Sequence, residues 1–127
     1  MLFGGDRLFE EDALTPIFRK LADWIKDEIL KGNFVEEEAV PSTNQLASLY
    51  HINPATAGKG LNLLVEEGIL YKKRGIGMFV CSGAVAKLTQ AKRNTFQSDT
   101  LPHLLEEAKS LGITKEELAD MILKQER

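Results

Sequence analysis

The side chains able to do chemistry in this 127-residue chain are few, and most are hydrogen-bonding or cationic. Ser42, Asn44, Asn53 and Thr56 offer hydroxyl and amide groups, Lys59 and then Lys72, Lys73 and Arg74 offer cations, and Gly75 and Gly77 follow the last of these. Amides and guanidinium groups pair with flat hydrogen-bonding edges, flexible cations neutralise anionic oxygens, and glycine lets a backbone approach a partner closely. Nucleophilic and metal chemistry have no comparable set. Cys81 is the single cysteine and ends the apolar run Met78-Phe79-Val80-Cys81, where a small buried hydrophobe is its expected role; His51 and His103 have no Cys or His neighbours at zinc spacing. The acidic pairs Glu66-Glu67, Glu106-Glu107 and Glu116-Glu117 read as solvated helix faces. The chain is expected to bind rather than to catalyse, with no metal and no cofactor.

Charge sharpens that expectation once it is divided along the chain. The formal net charge is −3, yet residues 57–93 hold Lys59, Lys72, Lys73, Arg74, Lys87, Lys92 and Arg93 against only Glu66 and Glu67. A local basic cluster is what contact with phosphate requires, while the acidic remainder predicts weak non-specific binding at physiological salt. The 43% hydrophobic and 28% charged content suits a folded domain with a small appendage. No apolar run approaches the roughly 18 residues of a membrane span, and Met1 to Asp12 is acidic without an apolar leader core, so a cytoplasmic protein is expected.

These groups need elements to position them, and the sequence marks those elements well. Ile17, Leu21, Ile25 and Leu30 set an amphipathic helix over Thr15 to Lys31, with Thr15 as N-cap, Pro16 in the first turn and Gly32 after the last. Glu36-Glu37-Glu38 reads as a solvated loop. Ser42-Thr43-Asn44-Gln45 is a capping box that opens a second helix to Tyr50, and His51-Ile52-Asn53 makes a turn with Ile52 pointing inward. Asn53 as N-cap and Pro54 behind it start a third helix that Gly68 ends; Gly58 and Gly60 inside it each cost about 1 kcal/mol relative to Ala, for a reason the sequence leaves open. Ile69 to Lys73 and Met78 to Ser82 form a hairpin around Arg74-Gly75-Ile76-Gly77.

Helical spacing then returns with Val85, Leu88 and Ala91, and continues with Leu101, Leu104, Leu105, Ala108 and Leu111, with a break or kink expected near Ser98-Asp99 because of Pro102. Thr114 to Glu117 is a second capping box, opening a last helix with Leu118, Met121 and Ile122 on one face. The result is a mostly α fold with a small β-hairpin, in which residues 1–82 form a winged helix-turn-helix and residues 83–127 a helical tail. Helices this short must bury their apolar stripes against the winged helix or against another copy of the chain. In the second case Val85, Leu88, Leu101, Leu104, Leu105, Leu111, Leu118, Met121 and Ile122 are the expected dimerisation residues. In a helix-turn-helix the start of the second helix meets base edges in the major groove, which nominates Asn53, Ala55, Thr56 and Lys59, with Asn53 chiefly a cap. Lys72, Lys73, Arg74, Gly75 and Gly77 join them from the wing, where the cations suit phosphate and the glycines suit a minor groove. The competing reading is a winged-helix protein-interaction module that never touches DNA.

The segments Thr15-Pro16-Ile17-Phe18, Ala22-Asp23, Ile29-Leu30-Lys31-Gly32, Pro41-Ser42, Leu46-Ala47, Asn53-Pro54-Ala55-Thr56, Glu67-Gly68 and Arg74-Gly75-Ile76-Gly77-Met78-Phe79-Val80 resemble the winged-helix domain of the GntR family of bacterial transcription regulators. The short tail resembles the YtrA-like branch. The resemblance implies a homodimer on a palindromic double-stranded DNA operator, acting as a repressor. It also implies no separate sensor domain, so any small-molecule effector would act through dimer geometry or a pocket between tail and wing. The resemblance also implies DNA contacts at Ser42 and Asn44, from the head of the second helix. Two departures matter: Asn44 and Lys59 stand where the family pattern carries arginine. Arginine suits guanine O6 and N7 and asparagine suits adenine N6 and N7, so an operator without a guanine preference opposite Asn44 is expected.

Overall fold

Apolar residues recur every three to four positions from Leu21 to Ile29, and in the structure, a computed structural model describing residues 14–126, this stripe becomes the buried face of α1 (Ile17–Leu30). The acidic stretch Met1 to Asp12 lies outside the described residues. Pro16, with ψ 148, is still extended and serves as the N-cap itself, one position later than the expected Thr15. Its carbonyl accepts from Arg19 and Lys20.

Helices α2 (Thr43–Tyr50) and α3 (Pro54–Glu66) start where their caps require. Ser42 and Gln45 form the reciprocal capping box, and Asn53 Oδ1 accepts from the Ala55 N–H at 2.7 Å. Between them His51 takes the left-handed conformation at φ 56, which closes α2, and Ile52 packs partly buried against the core. That core joins Leu21, Ile25 and Ile29 of α1 to Leu46 and Tyr50 of α2 and to Ala57, Leu61 and Leu64 of α3. Trp24 bridges it edge-on to Phe34 and Tyr50, with centroid distances of 5.8 and 5.3 Å. Glu28 is buried among these residues, where Asn33 donates to its carboxylate at 2.9 Å. The Tyr50 hydroxyl is buried without a hydrogen-bond partner; burial first, and then the nearby Glu28, push its pKa up to about 12.

Gly60 answers one question that composition left open. A Cβ there would stand 2.9 Å from the Phe18 carbonyl oxygen and 3.2 Å from Leu21 Cδ2, so α1 and α3 cross at a distance only glycine permits. At Gly58 the nearest atom would be Thr43 Cγ2 at 3.8 Å, an ordinary contact. Close approach explains one glycine and not the other.

Strands β1 (Leu70–Lys73) and β2 (Gly77–Val80) pair antiparallel, with Tyr71 opposite Phe79 and Lys72 opposite Met78. The segment expected to be a solvated loop lies along the outer edge of β2. Glu37 N–H donates to Val80, Val80 N–H donates to Glu38, and Val40 N–H donates to Met78, all near 3 Å. Unpaired groups on an edge strand seek partners, and the acidic segment supplies them. Cys81, expected buried, is half-buried at the end of the wing.

Beyond the wing, α4 (Ala84–Thr95) begins in a first compact unit that ends at Thr89, and a second unit begins at Gln90. The α-helix is interrupted where Pro102 was expected to disturb it, around Ser98 and Asp99, but the helical run does not end there. Helical structure continues through a π-turn at Phe96–Thr100 into α5 (Leu101–Ser110), and the Leu101 N–H bonds to Phe96. A proline lacks the N–H for its i−4 carbonyl, and the wider π-turn just before it accommodates that loss. Gly112, at φ 75, separates α5 from α6 (Lys115–Leu123), which opens on the reciprocal capping box of Thr114 and Glu117.

Candidate nucleic-acid interface

Helical geometry divides the surface of α3. Ala57, Gly60, Leu61 and Leu64 face the core, so at 100° per residue Ala55, Lys59, Asn62 and Glu66 form the strip turned away from it. Ala55 and Lys59 are exposed and Thr56 is half-buried. With Phe18, Gly58 and Leu63, the strip lines a shallow groove of about 560 Å³. Asn62 was missed from sequence although the same periodicity points to it. It lies one turn beyond Lys59 and carries the amide that Ala55 lacks. Glu66 closes the strip with a negative charge, which confines favourable contact with an anionic partner to the first two turns of α3.

Lys59 has a partner of its own in this structure. Its ammonium lies 4.2 Å from the centroid of the Phe18 ring, a cation–π contact that lays it across the groove. Phe18 was read only as part of the amphipathic helix, and its role as a platform required the tertiary structure. Exposed contacts of this kind are worth about 0.5–1 kcal/mol, little enough for a phosphate to draw the lysine away.

At the head of α2, Ser42 Oγ accepts from the Gln45 N–H at 3.1 Å while Gln45 Oε1 accepts from the Ser42 N–H at 2.8 Å. The serine oxygen is thus engaged as a cap. Asn44, in the first turn, is exposed and takes no part in the cap. Asn53 is likewise committed, its carbonyl oxygen capping α3.

On the wing, Lys72, Lys73 and Arg74 are all exposed. Lys73 lies 4.5 Å over the Phe79 ring, Phe79 stacks on Tyr71 at 5.8 Å, and the Tyr71 hydroxyl donates to Glu37 at 2.8 Å. This chain of contacts stiffens one face of the hairpin, and the bond to Glu37 raises the Tyr71 pKa. Gly75 at φ 76 and Gly77 at φ 149 shape the tip, leaving Ile76 72% exposed between them.

The expected dimerisation residues fall into two groups. Leu88 belongs to the core of the first unit, so it is withdrawn from any outer stripe, while Val85 beside it is exposed. In the second unit Leu101, Leu104, Leu111, Met121 and Ile122 are exposed, and Leu105 and Leu118 are half-buried. Phe96, in the π-turn, adds an exposed ring that periodicity did not nominate. Among the described residues, no group of three His, Cys, Asp or Glu is placed to hold a metal ion, and no helix is long and apolar enough to cross a membrane.

Residues 18–80 match the family described as bacterial regulatory proteins, gntR family. The chain is 31% identical over 108 residues to the HTH-type transcriptional repressor YtrA of Bacillus subtilis strain 168, spanning 85% of this chain and 82% of that protein. Its fold superposes on the crystal structure of a GntR-family transcriptional regulator from Bacteroides thetaiotaomicron with a TM-score of 0.72 and 31% identity, covering 84% of this chain and 94% of the other. The DNA-binding domain of AraR in complex with its operator ORE1 is also similar, with a TM-score of 0.52 and 26% identity over 54% of this chain and 83% of that one.

Proposed function

Because the chain belongs to the GntR family of bacterial transcription regulators and binds DNA to regulate transcription, we propose that it does so as a homodimeric repressor on a two-fold operator. The family regulates transcription and does not catalyse a reaction. Residues 1–82 read DNA in this proposal, residues 83–127 form the tail that pairs two copies, and the protein works in the cytoplasm where its operator lies.

The observation that carries the reading is the exposed first half of the α3 strip. Ala55 and Lys59 stand clear of the core, with Thr56 half-buried beside them, on a helix whose start is fixed by the Asn53 cap. Thr56 offers a hydroxyl and a methyl to a base edge, Lys59 leaves Phe18 for a phosphate, and Asn44 pairs with an adenine where an arginine would favour guanine. Lys72, Lys73 and Arg74 contact phosphates beside the groove, and Gly75 and Gly77 let the tip enter the minor groove.

One recognition helix reads one half-site, so pairing two copies raises affinity and site length together. The exposed Leu101, Leu104, Leu111, Met121 and Ile122 supply an apolar surface for that pairing. A Leu104→Glu variant is expected to be monomeric by light scattering and to lose at least about tenfold in affinity for the DNA upstream of its own gene. A variant that remains dimeric and binds normally would place the pairing surface elsewhere.

A further inference from the structure

The first turns of α4 are held by polar groups that reading a base does not use. Ala84 and Leu88 enter the core of the first unit, which fixes one face of the helix. The carboxylate of Glu36 fixes its end: one oxygen accepts from the Gly83 N–H at 3.0 Å and the other from the Val85 N–H at 2.9 Å. Charge-assisted bonds to the open N–H groups of a helix start are among the stronger surface interactions. A turn further along, Lys87 Nζ donates to the Glu67 carbonyl at 2.6 Å.

What these anchors are attached to gives them a meaning. Glu67 is the C-cap of α3, the recognition helix, and is pinned to α1 by an ion pair with Lys26 at 2.8 Å. Glu36 precedes Glu37, which is bonded to the wing through Tyr71 and through the backbone of Val80. The start of α4 is thereby tied to the end of the recognition helix and to the segment clamped on the wing. Leu88 in the core and the Lys87 bond, both one turn along, keep the helix from pivoting about its capped end.

We propose that Glu36 and Lys87 are positioning residues that fix the direction in which α4 leaves the DNA-reading unit, and so set the separation of the two half-sites that a dimer accepts. The proposal rests on the homodimeric reading above. An extra base pair between half-sites moves the second one along the duplex and rotates it by roughly 35°, so a rigid exit accepts one spacing and a loose one accepts several.

The test uses the full chain and a pool of duplexes with a randomised stretch, from which bound sequences are selected. Wild type is expected to return paired half-sites at one separation and to lose about tenfold in affinity on insertion of one base pair. The double variant Glu36→Ala with Lys87→Ala is expected to return the same half-site sequence at several separations, with the insertion penalty reduced below about threefold. Glu36→Gln alone keeps an acceptor oxygen and is expected to retain the wild-type spacing. If the double variant shows no thermal unfolding transition, Lys87→Met carries the same comparison, since it keeps the packing of the stem and removes only the donor. Wild-type spacing in the double variant, or in Lys87→Met where that replaces it, overturns the positioning role while leaving the dimer intact; a wild type that selects isolated half-sites overturns the dimeric reading and the positioning role with it.

Discussion

A Cβ at position 60 would stand 2.9 Å from a backbone oxygen, whereas at position 58 it would meet only a methyl group at 3.8 Å. Ala is favoured over Gly in a helix by about 1 kcal/mol, so Gly58→Ala is expected to stabilise the protein by up to that amount. Gly60→Ala gains the same propensity but forces α1 and α3 apart, and is expected to cost about 1–2 kcal/mol net. Urea denaturation of the two variants checks both signs. Glu36 makes a second prediction at this scale. The N–H groups of Gly83 and Val85 hold its pKa below the ordinary 4.5, so it favours the folded state fully above that value and loses the contribution as the pH falls through its own lower pKa. The fall in melting temperature on acidification should therefore be shallower in Glu36→Gln than in wild type. Neither bond was foreseen, because Glu36 meets positions 47 and 49 residues away and sequence spacing carries no trace of them.

The elements were largely legible because local chemistry specifies them. Both reciprocal capping boxes form as read, at Ser42 with Gln45 and at Thr114 with Glu117. Asn53 and Pro54 start α3 at the expected residue. Such signals act over three or four residues, so no tertiary context is needed to read them. Where an element depended on distant partners the reading failed. The acidic segment Glu36 to Glu38, expected to be a solvated loop, became an edge partner of β2. The cap at α3 yields a prediction that separates structure from recognition. Asn53→Ala is expected to cost about 1 kcal/mol of stability, while Asn53→Ser keeps an acceptor at the cap and is expected to preserve both the melting temperature and operator affinity. A serine variant that melts normally yet binds poorly would make Asn53 a reader of DNA as well as a cap.

At the scale of the whole molecule, a chain of net charge −3 binds a polyanion by concentrating its cations. Lys72, Lys73 and Arg74 lie exposed on the wing, while Glu66 puts a negative charge at the far end of the outward strip of α3. The affinity is expected to depend on salt through a small number of phosphate contacts. Arg74→Ala should lower the slope of log affinity against log salt by about one, and an unchanged slope would remove Arg74 from the interface. The second unit makes a different demand. Its apolar side chains are mostly exposed in a single copy, so burying them requires another surface.

By itself the sequence determined that α1, α2, α3 and the wing exist in that order and placed their ends to within one or two residues, because caps, turns, proline, glycine and apolar periodicity act on neighbours along the chain. It also carried enough ordered anchors to reveal the family. The tertiary structure alone decided which of two helical glycines is obligatory, that Lys59 rests on Phe18, that Leu88 belongs to the core, and that Glu36 and Lys87 hold the start of α4. Each of these depends on atoms brought together from far apart in the chain. Distance in space, unlike periodicity, leaves no pattern in a single sequence.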